Sequence, residues 1–475
     1  MFTLLGFTTL GIVLAVSAAI LWRRPGEGLG MPMIAMLCFG YLYVIQPLTL
    51  LLTGTLSAFL DDWQTGKALF VPAVMLAFLL WGWRRGTAAG LRTREHAFSN
   101  WTQLWNWGAG AATVGTVLVL ALVLRSGGLV EVFSAPHGSG LQVEDITAYW
   151  YLSPYWIICG IGMMLFAGNR AVRTPVRRAV LISSILFVYA FAILTSSRGI
   201  IFAISATVVV SYFLRRMTRP TIAKLLPYWI CAGVLVVLMV GYRQILHVGN
   251  TDNTEAPTFG QALMSVSSIT PSQVSQLNTG LEFLFHATAL DTVDQTQKYH
   301  WGLAWLYIYT VHIIPRVLWP SKPLSFDTPG ITNNDIHEMT GITISAGAAP
   351  GIVADGYEQF GALSVVFFFL FGLASARLYV HAQFSGNPLP AMGYTMLCAV
   401  SLNGLTQDVH QMLIFGPYAM LPMLAFHFLA RRPRMVARVS SSAVMKGGAW
   451  AMTGRSPANG QQSPPSSFGR ALGRR

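Results

Sequence analysis

Apolar residues fall along this chain in long unbroken runs, not in the alternating or three-to-four periodic patterns of half-buried elements. A helix needs about 20 apolar residues to cross roughly 30 Å of hydrocarbon. Eleven such runs can be drawn, at 4–22, 31–52, 67–83, 103–124, 149–168, 179–195, 199–214, 225–242, 360–380, 389–405 and 412–430. In hydrocarbon a helix satisfies its own backbone, so the pattern predicts an all-α, polytopic membrane protein with about 11 transmembrane helices. The first run is not preceded by a basic segment and ends in Arg23-Arg24 with no small-residue cleavage site, which predicts a retained span and not a cleaved leader. One further stretch, 299–314 (YHWGLAWLYIYTVHII), is apolar and aromatic but short for a span. It is expected to be an interfacial or re-entrant helix with its aromatics at headgroup depth.

Composition agrees with the runs. Of 475 residues, 53% are apolar and only 10% charged, where a soluble chain carries about 25% charged residues. The net charge of +13 would by itself fit a nucleic-acid partner, but the placement of the charges speaks for no nucleic acid. With the amino terminus outside, the internal segments hold 24 of the 31 Lys and Arg, and of the acids only Glu27 and Glu95. Basic short loops resist translocation, so the amino terminus is expected outside and the carboxyl terminus inside. If 299–314 spanned, Arg377 and the basic tail would face outward, against that bias. The expected organisation is transmembrane helices 1–8 in 1–242, a large external loop with interfacial or re-entrant helices in 243–359, helices 9–11 in 360–430, and a basic tail in 431–475. The tail, rich in Ser, Gly, Pro and Arg, is expected to be disordered and to touch anionic lipid. The four cysteines, Cys38, Cys159, Cys231 and Cys398, sit singly in apolar runs and read as small buried hydrophobes.

No metalloprotease HExxH, nucleophile-elbow G-x-S-x-G or phosphate-cradling Gly-rich loop is present, and the internal loops are short and nearly free of acids. Chemistry is therefore expected on the external face, where the 243–359 segment carries ten of the 16 external acids; so long a connection is uncommon without a function. Four features stand out. Thr195-Ser196-Ser197-Arg198-Gly199 is a tight external turn in which Arg198 either holds a phosphate, helped by Ser197, or snorkels as a helix-end cation. Arg243 follows the eighth run as a second external cation or an interface anchor. His312-Ile313-Ile314-Pro315-Arg316 and Trp319-Pro320-Ser321-Lys322-Pro323 place Arg316 and Lys322 on a proline-stiffened stretch, suited to an anionic lipid head. Finally, Pro350 to Gly361 leads into the ninth run with Asp355 and Glu358 three apart, on one face if helical. They are either general-base candidates or ordinary acids near a helix amino terminus.

Taken in order, the Ser-Ser-Arg-Gly turn, the later Arg243, the large external segment, Ile314-Pro315-Arg316 with Trp319-Pro320-Ser321-Lys322-Pro323, and Tyr357-x-x-Phe360-Gly361 resemble the Wzy-type O-antigen or oligosaccharide repeat-unit polymerases of Gram-negative bacteria. The resemblance covers roughly 180–380. It implies a GT-C-like membrane fold in the bacterial inner membrane, with the amino terminus periplasmic, and a glycosyltransferase that joins undecaprenyl-diphosphate-linked repeat units at the periplasmic face. It implies no cofactor and no metal; the expected partners are lipid-linked glycans, membrane lipid and a chain-length regulator protein. In that setting Arg198, Arg243, Arg316, Lys322 and Ser197 would bind the diphosphate, and Asp355, Glu358 and His312, in that order, are candidates for the base. The competing readings are an O-antigen ligase and a lipid-linked oligosaccharide flippase or other transporter.

Overall fold

The computed structural model describes residues 1–23, 28–52, 54–88, 100–128, 150, 152–168, 174–195, 197–216, 281–312, 349–384 and 387–430, with short pieces at 224–225, 227–228, 231, 314, 319, 321 and 337–338. Every regular element among them is a helix. In chain order these are α1 (Phe2–Arg23), α2 (Met31–Gly40), a π-helical stretch (Tyr41–Ile45), α3 (Gln46–Leu52), α4 (Leu56–Phe59), α5 (Asp62–Ala88), α6 (Trp101–Arg125), α7 (Pro154–Ala167), α8 (Pro175–Leu194) and α9 (Arg198–Arg215). There follow α10 (Leu281–Thr296), α11 (Leu303–Tyr307) with a π-turn (Ile308–His312), α12 (Gly351–Phe360), a 3-10 turn (Gly361–Leu363), α13 (Ser364–Phe384), α14 (Pro388–Thr406) and α15 (Val409–Ala430).

Among the described residues eight helical stretches are long and apolar enough to cross a membrane. The chain is thus an all-helical protein of multi-pass membrane type. Two of the eleven expected runs are helical but are not among the eight. The 149–168 run gives a helix of only 14 residues, α7, and 389–405 forms α14, which is not among the eight. The 225–242 run lies largely outside the described residues, as do Arg243 and the 431–475 tail. The ninth run starts earlier than expected, because Gly351–Phe384 is one apolar helical stretch of 34 residues. At 1.5 Å per residue that length is about 51 Å, well beyond the hydrocarbon. It is broken at Gly361, whose φ of +56° is left-handed and readily adopted only by glycine.

Packing between the long helices relies on small residues. A β-carbon placed on Gly82 of α5 would overlap the Phe369 carbonyl of α13, and one on Gly372 of α13 would overlap the Leu79 carbonyl of α5. Gly108 of α6 and Gly160 of α7 meet in the same backbone-to-backbone way. Lipid is as apolar as leucine, so helices in it associate through such close approach and not through hydrophobic exclusion.

Charge divides the two ends of the helix assembly. At one end the Met1 ammonium meets Asp62 at 2.8 Å, Lys67 pairs with Asp294, and Arg198 lies 3.6 Å from Glu282. At the other, cations rest on rings and carbonyls: Arg177 over Trp105, Arg216 over Tyr212, and Arg215 against the Leu165 carbonyl. Three cysteines, Cys38, Cys159 and Cys398, are buried as expected, whereas Cys231 is exposed.

Candidate functional site

The acid-bearing end is organised around two helices from the segment expected to be a large loop. Helix α10 is buried on most sides, through Phe283, Leu284, Ala287, Leu290 and Val293. Its amino-terminal Glu282 faces Arg198, the first residue of α9, and also accepts from the Gln46 amide, while Gln46 Oε1 accepts from the Phe283 amide at 3.0 Å. Its last turn carries Asp294, which accepts from the Tyr357 hydroxyl at 2.9 Å and from Lys67, whose ammonium also donates to the Leu290 carbonyl at 3.0 Å. Burial holds His286, on the same helix, at about 3, so it stays neutral against the Ala68 carbonyl.

Helix α12 sits in the centre of this end. It starts at Gly351, where φ is +79°, with the Gly351 amide donating to the Gln407 carbonyl at 2.7 Å. As the spacing predicts, Asp355 and Glu358 are helical neighbours, and both are buried. Asp355 Oδ1 accepts from Trp305 Nε1 at 3.1 Å and Oδ2 from the Val409 amide at 2.7 Å. Val409 opens α15, and the first amides of a helix lack partners within it. The same helix start is capped by Asp408, whose Oδ1 accepts from the Gln411 amide at 2.7 Å. Two carboxylates thus converge on one helix amino terminus, where the macrodipole favours negative charge. The imidazole of His410, one residue into α15, presents Nδ1 to Asp355 Oδ2 at 3.7 Å. Burial first, and then the neighbouring Asp355, push Asp408 up from 3.8 to about 6, against the opposing pull of His410 and the Gln411 amide.

On the far side of α12, His300 Nε2 lies 3.6 Å from Glu358 Oε1. The His300 and Trp301 amides take the Glu358 and Gln359 carbonyls at 3.3 and 2.7 Å, closing the carboxyl end of the helix. Burial, with Lys298 nearby, lowers the His300 titration. Helix α11 and its π-turn complete the wall. Trp305 packs on Phe360 and Phe367, and the Tyr309 hydroxyl donates to the Leu413 carbonyl of α15. Trp301, Leu303 and Leu306 point outward, exposed. The segment is helical as expected, but its ten residues rise at most about 15 Å, half the hydrocarbon thickness.

Of the expected site residues, Asp355 and Glu358 are therefore brought together. Arg198 belongs to a separate pairing with Glu282 at the same end, and Ser197 before it is half-buried. His312 ends the π-turn. Arg243, Arg316 and Lys322 lie outside the described residues. Sequence reasoning missed His410, Asp408, His300 and Trp305. The signal for the first two was an Asp-Val-His placed in the short polar turn between two apolar runs. Among the described residues no group of three His, Cys, Asp or Glu side chains is placed to hold a metal ion. Chemically, the arrangement can hold an imidazole against a fixed carboxylate, and a separate arginine at the same end has its charge matched by Glu282. Comparisons with protein-family models, with curated proteins and with solved structures returned no match.

Proposed function

We propose that this protein is a membrane glycosyltransferase of the repeat-unit polymerase type, extending a glycan carried on undecaprenyl diphosphate at the periplasmic face of the bacterial inner membrane. The observation that carries the reading is the titratable cluster of Asp355, Glu358, Asp408, His300 and His410, set at one end of an otherwise apolar helix assembly, with Arg198 at that same end. The charge bias of the loops supports a periplasmic setting for that end, with the amino terminus outside and the carboxyl terminus inside.

In this reaction an acceptor hydroxyl attacks the anomeric carbon of the donor, the bond from that carbon to the diphosphate oxygen breaks, and the lipid diphosphate leaves with the electron pair. The attack needs a proton acceptor, and buried acids beside imidazoles are suited to supply one. The departing diphosphate needs fixed positive charge, for which Arg198 is available, together with Arg243, Arg316 and Lys322 from the same external stretches of sequence. The outward-facing Trp301, Leu303 and Leu306 provide an apolar surface for polyprenyl chains beside the cluster.

The test is direct. Purified protein is mixed with undecaprenyl-diphosphate-linked repeat units and lipid A-core, without nucleotide sugar, and product length is followed on gels. A ladder of polymer is the expected result. Lipid-linked units that remain single, or that are transferred once to lipid A-core, would replace the polymerase reading, the second outcome with that of a ligase.

A further inference from the structure

Asp355 is badly placed to touch a substrate. Its side chain is 4% exposed, and both oxygens are engaged, Oδ1 by Trp305 Nε1 at 3.1 Å and Oδ2 by the Val409 amide at 2.7 Å. The imidazole beside it is in the opposite situation. His410 is 30% exposed and turns Nδ1 toward that carboxylate, and Nε2 makes no hydrogen bond among the described residues. A buried carboxylate that fixes one nitrogen of an imidazole while the other faces open space is the arrangement by which proteins orient a base. The 3.7 Å separation is longer than a hydrogen bond, as such pairs commonly are before substrate tightens them.

We infer that His410 is the group that takes the proton from the attacking acceptor hydroxyl, and that Asp355 is its positioning residue. The inference rests on the glycosyl-transfer reading above. As the hydroxyl oxygen bonds to the anomeric carbon, its proton moves to His410 Nε2. The carbon–oxygen bond to the diphosphate breaks, and the electron pair leaves with the lipid diphosphate. The imidazolium then returns its proton to water or to the departing diphosphate, so the enzyme is unchanged. Three carboxylates act on the charge of the imidazole: Asp355, 3.7 Å away, Glu358 from the same helix α12, and Asp408 from its own turn. This arrangement moves Asp355 from first base candidate to a positioning role, since the residue with access is one the sequence reading passed over.

Two measurements on the purified full-length protein test the inference. Diethyl pyrocarbonate, which acylates accessible imidazole nitrogens, is applied to native protein and the sites are read by mass spectrometry. His410 is expected to be modified while the buried His286 is spared; a native protein in which His410 is unmodified overturns the inference. Polymer formation from undecaprenyl-diphosphate-linked repeat units is then compared between wild type, His410→Gln and His410→Ala. Removing a proton acceptor is expected to lower the rate by about 100-fold or more with the melting temperature held, and millimolar imidazole is expected to restore His410→Ala at least tenfold. A folded His410→Gln protein that polymerises like wild type overturns this inference and leaves the polymerase reading standing. Wild type that forms no polymer overturns both. Loss in His410→Ala that imidazole cannot relieve marks the side chain as structural and also overturns the inference.

Discussion

At the scale of single residues, the site is a set of acids held by amides. Asp408 caps α15 through Gln411, yet its pKa is raised to about 6 from 3.8, with burial as the main cause. The folded protein therefore favours the neutral acid. The resulting stabilisation is full below about 3.8 and is lost as pH rises through 6, so above that the ionised group costs the fold roughly 3 kcal/mol. Asparagine keeps the cap without the charge. Asp408→Asn is accordingly expected to melt higher than wild type at pH 8, with less than half of that gain remaining at pH 4.5; equal gains at both pH values would mean that charge is not the cause. Arg198 supports a second prediction. Its guanidinium is already matched by Glu282 at 3.6 Å, so a diphosphate must displace that carboxylate. Glu282→Gln is expected to lower the KM for the lipid-linked donor several-fold with kcat little changed, and a raised KM would count against a diphosphate site at Arg198. Asp355 and Glu358 were legible in the sequence because three residues on a helix is a local spacing. Glu282 and His410 were not, because their partners lie on other helices and only tertiary packing brings them near.

At the scale of elements, the long apolar runs were legible because hydrocarbon demands a fixed length, and eight of them correspond to stretches of α1, α2–α3, α5, α6, α8, α9, α12–α13 and α15. What the runs could not give is where a helix is interrupted. The π-helical stretch at Tyr41–Ile45 and the break at Gly361 leave hydropathy unaltered. Helix α10 was hidden for another reason: its buried face is diluted by Thr288, Thr292 and His286, which bond to its own carbonyls or to α5. The glycine contacts were readable in principle, as Gly82 and Gly86 stand four apart on α5, and Gly372 and Ala376 four apart on α13. Gly82→Leu is expected to destabilise the protein by roughly 3 kcal/mol or more, since overpacking against backbone cannot be relieved by rotamers. Gly11, with open space where its β-carbon would be, is expected to accept leucine with an unchanged melting temperature in detergent.

At the scale of the whole molecule, the division of charge between the two ends matches the bias counted along the sequence. Carboxylate pairs gather where α1, α5, α9 and α15 begin, and arginines on rings and carbonyls gather where α8 begins and α9 ends. This predicts a measurable topology. A membrane-impermeant maleimide applied to spheroplasts is expected to label Asp61→Cys at once, and Arg84→Cys only after permeabilisation. The reverse pattern would invert the protein and move the candidate site to the cytoplasm.

The contact between α5 and α13 has a mechanical consequence. With main chain lying directly on main chain at Gly82 and Gly372, neither helix can slide or roll against the other without steric collision. That pair is the fixed keel of the molecule. If the protein passes a bulky glycan as proposed, the displacement that admits and releases it must be borne elsewhere, and the left-handed joint at Gly361, just ahead of the keel on the same stretch of chain, is where a swivel would disturb the least.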